Sequence, residues 1–338
     1  MIANGELATS RTDANLPLLI PTGSPHTPLA SLDTVSSTLD RRLRVAGIGF
    51  LNPAPLMWDF EHPPHAAELA TRYRVDIMSP AECADRLASG TADIGLVPIA
   101  ALASNPSLRI LPGCVIASKH RVRSLLLVHR AARSLAQVRS VAADTASRTT
   151  LAYARILLRH WSTLEIPFIP MAADLDSMLD RADAAILIGD PALLALEERT
   201  NRFERTGEEL VYHDLAEEWT NLMHVPFVSA VWCIACSKTL DGRGVQNAGA
   251  PSLSFETGDR VADDFIRSRD HGLANIDAIV AEWSRRLPLS EETIHSYLTT
   301  NIHYVLDEEC LEGMRVFFRI AAECGALPQY QFDPASAC

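Results

Sequence analysis

The chain has 338 residues, 48% of them hydrophobic and 21% charged, with a formal net charge of −12. That length allows two domains, or one with an elaborate insertion, and the hydrophobic share is ample for a sizeable core. The acidic balance argues against nucleic acid as a partner, since phosphate binding needs a basic face. No apolar run approaches the ~20 residues of a membrane span, so no membrane partner is expected either.

Residues 1–40 are rich in Ser, Thr, Pro and Asn and read as a disordered leader. They lack the basic start and apolar core of a signal peptide. The seven cysteines are an odd number without framework spacing, which points to reduced thiols and a cytoplasmic protein. Cys233 and Cys236 form a C-x-x-C, but inside an apolar run that reads as a buried strand, not as the helix start a redox pair uses. No second pair completes a zinc site.

Residues 43–56 (LRVAGIGFLNPAPL) read as a short apolar strand running into the turn Phe50-Leu51-Asn52-Pro53. Pro53 biases Asn52 away from helix, and Pro55 does the same for Ala54. The Asn52 amide is therefore offered from a stiff turn past a strand's carboxyl end, where open α/β sheets bind ligands. A strand followed by a self-satisfied Asn turn fits the same pattern. His62 and His65, in a Pro-rich loop, read as surface residues without a third metal ligand nearby in sequence.

Ser79-Pro80-Ala81-Glu82 is a capping box with proline in the first helical position, and Gly90 ends that helix. Residues 93–98 follow as a buried strand, giving the strand–helix–strand rhythm of a parallel sheet. Two apolar runs, 108–116 and 124–129, flank a polar joint at 118–121. A strand at 141–143 leads through Asp144-Thr145-Ala146-Ser147-Arg148-Thr149-Thr150 into a helix over 151–160. Several N-cap residues crowd that junction, and a helix start with free N–H groups and hydroxyls is a natural seat for a carboxylate. Arg155 and Arg159 read as a solvated stripe.

Residues 183–190 (DAAILIGD) form a buried strand that delivers Gly189 and Asp190 at its carboxyl end, again a ligand-facing position. Residues 212–219 and 226–236 read as the return into the first sheet, and 239–260 as a surface loop insertion. Ser290 and Asp307 open C-terminal helices whose aromatics are core. No internal repeat and no Gly-rich phosphate loop is present.

Taken in order, several segments resemble the chorismate dehydratase (MqnA) family of the futalosine pathway of menaquinone biosynthesis. They are Ile48 to Asn52 with Pro55-Leu56; LASG at 87–90 through DIGLVP at 93–98; Ser118 with Val122-Arg123-Ser124; Ser147-Arg148-Thr149; DAAILIGDPAL at 183–193; Asp214-Leu215 with Trp219; Pro226-Phe227-Val228 with Ala230-Val231-Trp232; and YLTTNIHYVLD at 297–307. The resemblance spans roughly residues 43–330. Three places depart from it: His120 stands where the family has Gly, Met223-His224 replaces Thr-Gly, and Thr150 replaces Ser.

The resemblance implies an α/β, type II periplasmic-binding-protein-like fold, with two α/β lobes and a ligand cleft between them. Residues 43–121 plus 223–338 would form lobe 1, and 122–222 lobe 2. It implies removal of water from chorismate to give 3-[(1-carboxyvinyl)oxy]benzoate, with no cofactor, because the ring becomes aromatic. Chorismate would be the partner, with a homodimer as a candidate assembly. Asn52 and Ser124 would orient the enolpyruvyl ether or the departing hydroxyl. Ser147, Arg148 and Thr149 would take one carboxylate, with Gly189 and Asp190 completing the site. The substrate's own enolpyruvyl carboxylate is expected to take the ring proton, while Asp190 organises the site. Two other readings share the pattern: a solute-binding receptor of the same fold, and the sibling enzyme MqnD, which acts on cyclic dehypoxanthine futalosine.

Overall fold

The computed structural model describes residues 40, 42–144, 148–161, 165–235 and 255–332, with side chains from 260 onward in the last stretch. Arg41–Cys338 group as one compact unit. Eleven strands are present among the described residues: β1 (Leu43–Ile48), β2 (Tyr73–Met78), β3 (Ile94–Pro98), β4 (Leu108–Ser118), β5 (Leu125–Arg130), β6 (Val141–Asp144), β7 (Phe168–Met171), β8 (Ala184–Ile188), β9 (Leu210–Asp214), β10 (Phe227–Ala235) and β11 (His303–Val305). They form two sheets, in the orders β11-β4-β10-β3-β1-β2 and β7-β6-β8-β5-β9.

Each sheet is parallel on one side, built by strand–helix–strand crossovers. β1 pairs parallel with β2 and β3, and β6 pairs parallel with β7 and β8. The other strands run antiparallel, with β10 returning between β3 and β4. β9 joins the second sheet beside β5, so residues 212–214 are not part of the return expected from the sequence. The reversal occurs at Asp214, whose carboxylate caps the helix Leu215–Met223 through the N–H groups of Ala216 and Glu217.

The capping box at Ser79 forms as its spacing requires, and Gly90 sits at φ +70° past the helix end. Two expectations fail at helix starts. Ala54 opens the helix Ala54–Glu61 although Pro55 follows it, because a first-turn proline gives up an N–H that needs no partner. The segment read as loop to residue 260 is already helical from Phe255, in the helix Phe255–Ala274; residues 239–254 lie outside the described part.

The strands follow a period of two. Leu125 and Leu127 face the core shared by both sheets, while Leu126 and Val128 face a smaller cluster with Ala185, Leu187 and Met178. The lobes are joined behind the cleft by an aromatic knot. Tyr153, from the helix Arg148–Trp161, meets Trp219, Phe227 and Phe317 with ring centroids 4.7, 4.0 and 4.3 Å away. Burying rings of this size stabilises the junction by about 1.5–3 kcal/mol each.

Candidate functional site

The turn after β1 and the turn after β8 face each other across the boundary between the sheets. Leu51 donates its backbone N–H to Asp190 Oδ1 at 3.0 Å. The Phe50 ring lies so close to Gly189 that a Cβ there would be 2.8 Å from it. Gly189 has φ +70°, a conformation that favours glycine, and it precedes the helix Asp190–Glu197.

Between the turns lies a cavity of about 30 Å³, room for about two water molecules. Its walls are Phe50, Asn52, Ser124, Gly189, Phe227 and Ser229, with apolar neighbours from β3, β4 and β8. None of the side chains on its wall is charged.

Asn52 Oδ1 is buried and has no hydrogen-bond partner. An amide acceptor left alone in a core costs about 1–3 kcal/mol, and at a cleft it is a group waiting for a ligand. Ser124 is 1% exposed and receives a hydrogen bond from the Tyr297 hydroxyl at 2.9 Å. Burial holds the Tyr297 phenol well above its usual pKa, so it stays the donor. Ser124 therefore keeps its own proton to donate. Its backbone oxygen accepts the Gly189 N–H at 2.7 Å, tying β5 to the Gly189 turn.

The position of Ser124 is set from beneath. Asp214 accepts the N–H groups of Val122 and Arg123 at 3.0 and 2.6 Å, which fixes the crossing from β4 to β5. Desolvation nevertheless raises the Asp214 pKa, against those backbone donors. Arg123, at φ 64°, makes the bend that brings Ser124 to the cleft.

Asp190 directly follows the wall residue Gly189. Desolvation pushes its pKa up to about 6, opposed by the Leu51 N–H and by Arg286. Its carboxylate bridges the two lobes and does not line the cavity.

The carboxylate seat expected at residues 147–149 is not built as expected. Ser147 lies outside the described residues. Arg148 is exposed and pairs with Asp85 at 2.7 Å, off the cavity wall. Thr149 is fully buried and accepts the Ala100 N–H at 3.0 Å, so its hydroxyl ties the helix to the segment after β3. In the first turn of its helix, Thr149 is drawn into packing across the lobe boundary, against the segment after β3. The cavity thus joins Asn52, Ser124 and Gly189 without Thr149.

One wall residue was missed in the sequence. Ser229 sits in β10 at a register shift between Val228 and Ala230, a bulge that re-aims a side chain. A lone hydroxyl in the apolar run FVSAVWCIA was the available signal. Clusters able to hold a metal lie elsewhere among the described residues: Asp59, His65 and His271, and His303, Asp307 and Cys310.

Comparison with known proteins agrees with this architecture. A Thermus thermophilus protein named chorismate dehydratase is 28% identical over 264 residues, covering 76% of this chain and 88% of that one. The solved structure of a protein from Archaeoglobus fulgidus superposes with a TM-score of 0.63 at 16% identity, covering 85% of this chain and 99% of its own. The alkanesulfonate-binding protein SsuA of Xanthomonas axonopodis pv. citri, bound to MOPS, superposes with a TM-score of 0.62 at 13% identity, over 88% and 98% of the two chains. At such identities these structures show the fold alone, a periplasmic-binding-protein fold with two α/β lobes. The family profile described as menaquinone biosynthesis matches residues 43–323. With that match over most of its length, and with both turns of the cleft inside the matched span, the chain belongs to the menaquinone biosynthesis family.

Proposed function

We propose that this protein is a chorismate dehydratase, a carbon–oxygen hydro-lyase that converts chorismate to 3-[(1-carboxyvinyl)oxy]benzoate in the futalosine route, working in the cytoplasm. The observation that carries the reading is that the unpartnered Asn52 amide oxygen and the Ser124 hydroxyl line the same uncharged cavity. Buried thiols at Cys83, Cys114 and Cys310, each pushed up to about 12 by desolvation, fit a compartment where cysteines stay reduced.

The reaction moves one proton and one hydroxide. The proton leaves the ring carbon that bears the ether, its bonding pair becomes a ring double bond, and the neighbouring hydroxyl departs as water. Aromatisation supplies the driving force, so the protein has to position and to exclude solvent. Ser124, fed by Tyr297, donates toward the leaving hydroxyl or the ether oxygen. Asn52 orients the same region with its amide. No wall residue can accept the ring proton, so the substrate's enolpyruvyl carboxylate takes it and gives it up to the departing hydroxide, which leaves as water. A second reading is favoured by the Asp190 pKa of about 6, which suits a general base near neutral pH.

A dicarboxylate ring needs several hundred Å³, against the cavity of about 30 Å³. Entry then requires the lobes to part at the Leu51–Asp190 and Phe50–Gly189 contacts. The test is incubation with chorismate, following a new aromatic absorbance and a product lighter by one water. Chorismate bound without turnover would make the protein a receptor and end the proposal.

A further inference from the structure

The helix that follows Asn52 is clamped to the helix Phe255–Ala274 by a compact set of polar groups. Ser268, fully buried, donates to the Leu56 carbonyl at 2.8 Å and accepts the Asp59 N–H at 3.0 Å. A Cβ on Gly272 would lie 2.0 Å from the Pro55 carbonyl oxygen, so the two backbones touch there. Beside that contact sits Asp59, 1% exposed, with both carboxylate oxygens 2.9 and 3.0 Å from His271 Nδ1. The His65 ring stacks on His271, with 5.1 Å between centroids and 20° between the ring planes.

The three residues offer ligand atoms that all lie within 4.8 Å of one another. They come from three separate places: the helix Ala54–Glu61, the cap of the short helix Ala66–Leu69, and the helix Phe255–Ala274. Two imidazoles and one carboxylate are a set that suits zinc and similar borderline divalent ions. Zinc binds such ligands at about 2.0–2.2 Å, so the half-buried His65 ring needs only a small inward turn. A buried carboxylate also favours a cation that can replace its hydrogen bond.

We infer that Asp59, His65 and His271 form a binding site for a divalent ion of the zinc class, with water completing the coordination. The ion pins the helix Ala54–Glu61 to the helix Phe255–Ala274. The site stands apart from the cavity wall, and its role is bracing. Arg267 opposes it: its Nε lies 3.4 Å from Asp59 Oδ2, although its guanidinium also pairs with Asp264 at 3.1 Å. The second cluster, His303, Asp307 and Cys310, is already served by a cation, since the Lys119 ammonium lies 2.8 Å from Asp307.

The experiment loads the full chain with zinc, removes the excess and measures bound metal, then follows unfolding with and without zinc. About one equivalent is retained, and at a hundredfold excess over Kd the Tm rises by about 5 °C. His65→Ala leaves the Asp59–His271 hydrogen bond in place and weakens zinc binding at least tenfold, removing the Tm gain. Arg267→Gln tightens binding. Cobalt in place of zinc gives visible bands without a thiolate charge-transfer band. Failure to retain zinc, an unchanged Tm gain in His65→Ala, or a thiolate band from a cysteine site would each overturn the inference. None of these readouts depends on chorismate turnover.

Discussion

Asp190 reaches across the cleft and accepts the backbone N–H of Leu51, the residue beside Asn52, at 3.0 Å. One carboxylate thus holds the two ligand-facing turns in register. The same burial pushes its pKa from 3.8 to about 6. The unfolded chain releases this proton near 3.8 and the folded chain near 6, so the protonated carboxyl stabilises the fold. That contribution is complete below about pH 4 and is lost as pH rises through 6, a change of about 3 kcal/mol. Asp190→Asn keeps an acceptor for Leu51 but cannot ionise. Urea unfolding at pH 5 and pH 8 is expected to show a smaller loss of stability in the variant; equal losses would refute it. The same variant decides the base: a turnover loss beyond about 10²–10⁴-fold, with binding unchanged, makes Asp190 the proton acceptor.

Asn52→Ala removes the cleft's unpartnered amide. Turnover falls by about 10²-fold, the scale of lost positioning at the reacting centre. Stability to urea holds or rises, because the wild-type oxygen has no partner to lose.

Tyr297→Phe takes away the donor that fixes Ser124. The kcat drops by about tenfold with little change in KM, and Ser124→Ala costs more. Since both act on one hydroxyl, the double variant is no worse than Ser124→Ala alone. Additive losses would separate the two residues.

Gly189→Ala places a methyl group against Phe50 at a φ of +70°. The cleft is wedged open, the fold loses about 1–3 kcal/mol, and chorismate binding weakens. Thermal unfolding and a binding titration measure the two effects separately.

His224 ends the helix Leu215–Met223 in the left-handed region, at φ 56°. A side chain in that conformation carries backbone strain that glycine would avoid. His224→Gly stabilises the protein by about 1 kcal/mol in urea unfolding, without altering kcat.

The elements that carry their own punctuation could be read from the chain: the capping box at Ser79, the buried strand before Gly189, the turn at Asn52, and the helices opened by Ser290 and Asp307. Their signals are local, resting on backbone angles, caps and hydrophobic period, which neighbours in sequence determine. Tertiary packing alone decided that Thr149 turns inward to Ala100 instead of lining the cleft, and that the bulge at Ser229 turns a strand hydroxyl toward it. It also brought Leu51 to Asp190, 139 residues apart, and Tyr297 to Ser124, 173 apart. Whether a side chain faces a ligand or its own core depends on what the opposing sheet offers it. That partner comes from distant parts of the chain, so no local pattern of residues encodes it.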